Sequence, residues 1–303
     1  MAVKNKDIIQ IVKEGFKAIK ILFLKRHLNI KAIRNIHSDY IITTRSFHNR
    51  LVGYYAYDNI KKIATEHNYH NNDRKYITNV INSIRGFDYF VVVSKELQEF
   101  YNNKIGSVKC VYIPNVIDNM PKSETKLKDN NIINIGRLEE EKAQSELIDI
   151  VKDVSKEIDD IKLYLIGDGS LRSELEKKVK NNNLENNVIF TGFISKNDME
   201  KYLINSKLFV MTSYTESFGL VLIEAMSYKV PCIAYDSASG AKQLLKDNNG
   251  ILVKGRNKKK MTEEIIKLLK DDKTIKKYSE RGYLISQNYL GSNVKKMWFK
   301  ILK

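Results

Sequence analysis

Between residues 131 and 272 short apolar runs alternate with charged, amphipathic segments, and no other feature of this chain constrains its fold as much. INIGRL (133–138), IKLYLIGDG (161–169), NVIFTGF (187–193), KLFVMTS (207–213), VPCIAYD (230–236) and GILV (250–253) are short, apolar and bounded by polar or glycine residues. Such runs mark strands buried on both faces. SELIDIVKDV, LRSELEKKVK, KNDMEKYLINS, GLVLIEAMSY, ASGAKQLLK and KKKMTEEIIKLLKDD stand between or after them and read as helices. Repeated strand–helix alternation predicts an α/β fold, with a parallel sheet covered by helices on both faces. Ligands of such sheets lie beyond the carboxyl ends of the strands, so the chemistry is to be sought in the loops that follow strands.

The first half repeats the pattern less regularly. A helical start is followed by strand-like DYIITTRS (39–46), KKIATEHN (61–68), FDYFVVVS (87–94) and VKCVYIP (108–114), with the helical KELQEFYNN after the third. The polar stretch from Asn115 to Asn130 reads as an inter-domain linker. A chain of 303 residues accommodates two domains. With 3 prolines and no low-complexity tract, long disorder is excluded.

The net charge is +16, and the first 118 residues hold 19 basic against 10 acidic side chains. This balance fits an anionic partner (a phosphorylated substrate, acidic lipid or nucleic acid) and equally a merely solvated basic surface. No nucleic-acid-binding motif with interleaved aromatic residues is present, so nucleic acid is not the partner expected. In the opening helix Ile8, Ile11, Val12, Phe16 and Ile19 recur at helical spacing and lysines fill the other face. Lys13, Lys17, Lys20 and Lys25 interrupt any run long enough to span a bilayer, and no small-residue cleavage site follows. Two readings stay open: a helix packed on its own domain, or one lying on an anionic membrane. Cys110 and Cys232 lie far apart in apolar runs, there is no C-x-x-C, and the histidines are scattered. Neither a disulfide framework nor a structural zinc site is expected, and two buried thiols in a reducing cytoplasm fit the pattern.

TESFGLVLIE (215–224) is the foremost site candidate. A strand ends before it and a helix begins near Gly219, so unpaired N–H groups and a positive dipole end suit a phosphate. Glu216 and Glu224 accept hydrogen bonds only, which suits the hydroxyls of ribose or hexose. Gly136-Arg137-Leu138 and Lys142 place two cations after another strand, where arginine forks onto phosphate oxygens and lysine adds a point charge. Gly167-Asp168-Gly169 ends a third strand, and Thr65-Glu66-His67-Asn68 follows a strand of the first half. Each alone equally fits ordinary packing, a basic loop, a turn or a surface histidine. Their conjunction points to a ligand with a diphosphate between two sugars. There is no G-x-G-x-x-G, Walker A or H-E-x-x-H motif, and no Asp-x-Asp pair of the kind that holds a divalent metal.

INIGRLEEEKAQSELI (133–148), LYLIGDGSLRSEL (163–175), VIFTGFI (188–194) and ESFGLVLIEAMSYKVPCIAYDSASG (216–240) resemble glycosyltransferase family 4, the retaining enzymes of GT-B fold. Glu216 and Glu224 form that family's E-x₇-E motif. ATEHN, FDYFVVVSKEL and VYIPNVID carry a looser likeness in the first half. The resemblance implies two Rossmann-like domains facing a cleft. The N-terminal, acceptor-side domain (1–119) would be abbreviated, because the chain opens at a helix where the family opens with strands. The nucleotide-sugar domain would span 120–287, and a last helix (288–303) would return to the first domain.

The resemblance further implies that Arg137 and Lys142 grip the donor diphosphate. Glu216 would contact the transferred sugar, helped by the backbone of Ser217, Phe218 and Gly219, with Leu220 beside the phosphate. Glu224 would hold the ribose, Phe193 and Ile194 would lie by the base, and His67 would be the active-site histidine of the first domain. No cofactor and no metal is expected, and the co-substrate is a nucleoside-diphosphate sugar, UDP-linked by expectation. The implied partners are that donor, a glycan or lipid-linked acceptor, an anionic membrane surface, and a protein completing the first domain. A cytoplasmic transferase, peripheral on the inner face of the membrane, follows. The alternatives are a non-catalytic donor-binding subunit or a truncated relic that needs a partner chain. An epimerase or phosphorylase of the same fold also stays open.

Overall fold

The computed structural model describes residues 8–303, whose contacts divide into two compact units. The smaller takes the chain up to Glu66 with Asn72–Val91 and Tyr101–Val111. The larger takes His67–Asn71, Val92–Phe100 and everything from Tyr112 onward.

In chain order the first elements are α1 (Ile8–Arg34), β1 (Tyr40–Thr43), α2 (Ser46–Tyr55), β2 (Lys61–Glu66), α3 (Arg74–Ser83), β3 (Tyr89–Val92), α4 (Lys95–Asn102) and β4 (Lys109–Tyr112). The strands form one sheet in the order β1-β2-β3-β4, with β1 parallel to β2 and Tyr40 opposite Lys61. Ile63, Ala64, Phe90, Val91 and Val92 are buried on successive positions, so both faces of these strands are covered. Thr43 Oγ1 donates to Asn49 Oδ1 at 2.6 Å, Asn49 Nδ2 donates to Ser83 Oγ at 3.1 Å, and Ser83 donates to the Val80 carbonyl at 2.8 Å. This buried polar chain fixes α2 and α3 against β1. It also explains why the apolar spacing in the sequence does not announce α2: Asn49 holds an inward position where an apolar residue is expected.

The end of α1 is fixed by buried Ile33 and by the Arg34 guanidinium, 5.2 Å from the Tyr55 ring centre. Upstream, Lys17, Lys20, Ile21, Phe23, Leu24, Lys25, Arg26 and Leu28 are exposed. The side chains of Ile8, Ile11, Val12, Phe16 and Ile19 lie outside the described ones.

The larger unit continues with β5 (Asn131–Ile135), α5 (Gln144–Val154), β6 (Lys162–Ile166), α6 (Arg172–Asn181), β7 (Val188–Gly192), α7 (Lys196–Ile204), β8 (Leu208–Met211), α8 (Leu220–Ser227), β9 (Cys232–Tyr235), α9 (Ser239–Leu245), β10 (Ile251–Val253), α10 (Lys258–Lys270), α11 (Asp272–Ser286) and α12 (Gly291–Phe299). Its six strands are ordered β10-β9-β8-β5-β6-β7, and every neighbouring pair is parallel. Ile132 and Ile133, and Leu208, Phe209 and Val210, are fully buried on consecutive residues, as the apolar runs predict. On one face Leu147, Val151 and Val154 of α5 share a core with Met261, Ile265 and Leu268 of α10.

Helix α11 packs on α8. Gly282 masks its helical signal in the sequence, yet a Cβ there would lie 3.1 Å from the Met226 side chain, so the small residue permits the approach. The stretch read as a linker is stitched down. Thr125 N–H donates to the Tyr228 carbonyl at 2.8 Å, Lys126 N–H to Ile204 at 3.1 Å, and Ile117 pairs with Leu290 as an isolated bridge.

The strand order reverses between β5 and β8. The chain leaves β5 toward β6 and β7, then returns to the other side of β5. The loops after β5 and β8 therefore flank a switch point, where parallel sheets part to receive ligands.

Candidate active site

The loop after β5 is built by close backbone packing. Gly136 N–H donates to the Ile166 carbonyl at 2.9 Å and Leu138 N–H to Asp168 at 3.0 Å. Gly167 adopts φ 131°, and a Cβ on it would meet the Gly136 oxygen at 2.1 Å; one on Gly169 would fall within 2.7 Å of three Leu138 backbone atoms. Gly167-Asp168-Gly169 thus serves to let the Arg137 loop lie directly on the end of β6. Gln144 Nε2 then donates to the Arg137 carbonyl at 2.9 Å. A short 3-10 turn (Glu140–Lys142) and Ala143, at φ 51°, lead into α5.

The loop after β8 is tied to this turn. Thr212 Oγ1 lies 3.1 Å from the carbonyl oxygens of both Lys142 and Ala143, and Tyr214 N–H donates to the Glu141 carbonyl at 2.8 Å. Gly240 N–H donates to the Glu216 carbonyl at 2.8 Å, and a Cβ on Gly240 would stand 2.4 Å from the Phe218 carbonyl carbon. Gly219, at φ 82°, turns the chain into α8. The Phe218 ring is buried and meets Tyr289 edge-on at 5.6 Å, so only its backbone is available to a ligand.

These ties bring Lys142 Nζ to 2.7 Å from Glu216 Oε2, with 21% and 20% of the two side chains exposed. Arg137 is exposed and pairs with Glu141 at 2.6 Å. His67, Asn68, Arg137, Lys142, Glu216 and Ser217, all in the larger unit, line a cavity of about 420 Å³. His67 Nδ1 lies 3.2 Å from Asn115 Oδ1. The cavity thus holds two cations, Arg137 and Lys142, each paired with a carboxylate of its own lining, Glu141 and Glu216, and an anionic ligand would have to compete for both cations.

Leu220 and Glu224 line a second cavity of about 360 Å³ with Asp118 and Lys196. Burial pushes the half-buried Glu224 carboxyl above its ordinary value; Lys196 opposes the shift and Asp118 adds to it. Asp118 and Lys196 pair at 3.0 Å, which holds the Lys196 ammonium above its usual range. Phe193 is 91% exposed and lines neither cavity, and Ile194 borders a third, with Tyr164 and Tyr202. The structure therefore gathers Arg137, Lys142, Glu216, Ser217 and His67 about one cavity, and Leu220 and Glu224 about another. Phe193 and Ile194 are brought to neither. Among the described residues no cluster of three His, Cys, Asp or Glu could hold a metal ion, and no helix is long and apolar enough to cross a membrane.

Thr212, Gly240, Gln144 and Arg256 shape these loops, and none of them was singled out as a site residue in the sequence. Gly240 alone had a signal, since it closes the apolar–small run that follows β9.

Residues 116–284 match the family described as Glycosyl transferases group 1. The chain is 28% identical over 250 residues to the poly(glycerol-phosphate) alpha-glucosyltransferase of Bacillus subtilis (strain 168), covering 78% of this chain but only 36% of that enzyme. It is 26% identical over 299 residues to the amylovoran biosynthesis glycosyltransferase AmsD of Erwinia amylovora, covering 98% of this chain and 77% of AmsD. A solved structure of an S. aureus TarM variant in complex with Fondaparinux, alpha-GlcNAc-glycerol and UDP superposes with a TM-score of 0.79 at 23% identity, covering 92% of this chain and 59% of that one.

Proposed function

The chain belongs to the group 1 glycosyl transferases, a family of retaining enzymes of GT-B fold, and from that premise we propose that it moves a hexose or N-acetylhexosamine from a UDP-linked donor to a glycan or lipid-linked acceptor of cell-surface polysaccharide or glycolipid. The observation that carries this reading is the Lys142–Glu216 pair, set beside Arg137 at the start of α8, with Glu224 eight residues farther along.

In this reading Lys142, Arg137 and the first N–H groups of α8 take the donor diphosphate. They neutralise the charge that grows on it as its bond to the sugar C1 breaks. The acceptor oxygen bonds to C1 on the same face, and its proton passes to the departing diphosphate oxygen. Glu216, with the backbone of Ser217, Phe218 and Gly219, orients the transferred sugar. Leu220 lies beside the phosphate, and Glu224 accepts the ribose hydroxyls. His67 serves the transferred sugar from the other side of its cavity, and Phe193 and Ile194 reach the base only if the turn after β7 moves. The basic, apolar face of α1 meets an anionic membrane on the cytoplasmic side, where a lipid-linked acceptor is presented.

Calorimetric titration with UDP, GDP and ADP, followed by release of UDP from UDP-sugars, tests the reading. Micromolar binding of UDP that is lost in Glu224→Ala, with turnover lost in Glu216→Ala, is expected. Turnover undiminished in Glu216→Ala would overturn it. Nucleotide binding without turnover against any acceptor would favour a donor-binding subunit.

A further inference from the structure

We infer that Arg256 is a positioning residue for the Lys142–Glu216 pair, an inference that rests on the donor-site reading above. Its Nη1 donates to the Thr212 carbonyl at 2.8 Å and the Ser213 carbonyl at 3.2 Å, and lies 3.5 Å from Ser237 Oγ. Its Nη2 pairs with Glu146. The guanidinium stands over two aromatic rings, 4.0 Å from the Tyr214 centroid and 4.6 Å from that of Tyr235. Tyr235 Oη donates to the other Glu146 oxygen at 2.6 Å.

Besides Tyr235 and Ser237, at the end of β9 and just after it, these contacts fall on two short segments. Thr212, Ser213 and Tyr214 immediately precede Glu216. Glu146 stands in the first turn of α5, four residues after Lys142 and past the left-handed Ala143. Arg256 therefore bridges the loop after β8, which carries Glu216, and the first turn of α5, which follows Lys142. Only 20% of the Arg256 side chain is exposed, so its charge is tolerable only because carbonyls, a carboxylate and two rings meet it. The backbone is committed as well. Arg256 sits at φ 48°, in the left-handed region a branched-chain or bulky residue seldom enters, and Gly255 N–H donates to Asp236 Oδ1 at 3.0 Å to hold the turn. A lysine would keep the charge but lose the planar fork that spans two carbonyls and a carboxylate.

The test compares wild type, Arg256→Ala and Arg256→Lys by amide hydrogen exchange and by steady-state transfer. Exchange at the Tyr214 amide, which bonds the Glu141 carbonyl, and at the Gly240 amide, which bonds the Glu216 carbonyl, is expected to accelerate about tenfold or more in Arg256→Ala, while amides of β5 and β6 stay protected. kcat is expected to fall about 10- to 100-fold, the scale of a 1 Å misplacement, with donor KM and UDP affinity within about threefold of wild type. Arg256→Lys should fall between the two. Unchanged exchange at Tyr214 and Gly240 overturns the inference, as does a kcat equal to wild type, or a loss of UDP affinity that matches the loss of kcat. Wild type that binds no nucleotide would instead defeat the donor-site reading, and the exchange measurement still decides whether Arg256 clamps the loops.

Discussion

The ammonium of Lys142 lies 2.7 Å from the carboxylate of Glu216, a residue 74 positions later in the chain. A donor diphosphate and Glu216 therefore compete for one cation. Glu216→Gln keeps the shape and removes the competing charge, so UDP should bind at least as tightly as to wild type, while transfer falls by about 100-fold or more. Lys142→Met should do the reverse at the binding step and weaken UDP by about 10- to 100-fold, the worth of a charged hydrogen bond. Calorimetry with UDP and a UDP-release assay separate the two.

Glu224 provides a pH test. Its native carboxyl is shifted upward, first by burial, so the folded chain holds that proton more firmly than the unfolded one. Stability then falls as pH rises from the ordinary carboxyl value of 4.5 through the raised native one. Glu224→Gln removes this dependence. It should melt higher than wild type at neutral pH, and the advantage should vanish as pH drops below the ordinary value. Melting curves between pH 4 and pH 8, roughly the window in which such a group titrates, read the difference.

Gly240 has no room for a side chain against the Phe218 backbone. Gly240→Ala should cost about 1–3 kcal/mol of stability, the usual cost of overpacking, and should displace the Glu216 loop. Denaturant unfolding gives the first quantity. A fall in transfer larger than the fall in folded fraction gives the second.

Of the two thiols expected to be buried, Cys232 is buried and Cys110 only half-buried. Burial raises Cys110 to about 12 and raises Cys232 as well. A thiol of this kind carries almost no thiolate at neutral pH. Ellman's reagent at pH 8, roughly the ordinary thiol range, should find neither cysteine over minutes in the native chain and both in denaturant.

On α1, Lys17, Ile21, Leu24 and Leu28 share one helical face, with Lys20 and Lys25 at its borders, and all are exposed. The chain should co-sediment with vesicles containing phosphatidylglycerol and not with neutral ones. Replacing Lys17, Lys20 and Lys25 by glutamine should weaken binding, at about 1 kcal/mol per lysine, and half-molar salt should abolish it.

The larger unit was legible up to α10 because its strands are buried on both faces and most of its helices carry amphipathic stripes, whereas α11 was not. The runs at 133–138 and 207–213 needed no tertiary information. Helix α2 was not legible, because Asn49 is buried through its hydrogen bonds to Thr43 and Ser83, and a polar residue on an inward face breaks the periodic signal. At the site, Glu216, Glu224, Arg137 and Lys142 could be named from chemistry and spacing. That Lys142 and Glu216 bond each other could not, since it follows from the pairing of β8 with β5. Arg256 left no trace in the sequence: its partners lie 44 and 110 residues away, and only the fold gathers them.

Because β8 returns to pair with β5, the site comes into being late. A ribosome adding about 5–20 residues per second delivers Glu216 roughly 4–15 s after Lys142. Through that interval the β8-facing edge of β5 lacks its strand, and open apolar edges recruit whatever strand arrives first, including one from another chain. Sequence changes in 208–211 that slow this late pairing would lower the yield of soluble protein at higher growth temperature, while every molecule that folded would carry an unaltered Lys142–Glu216 pair.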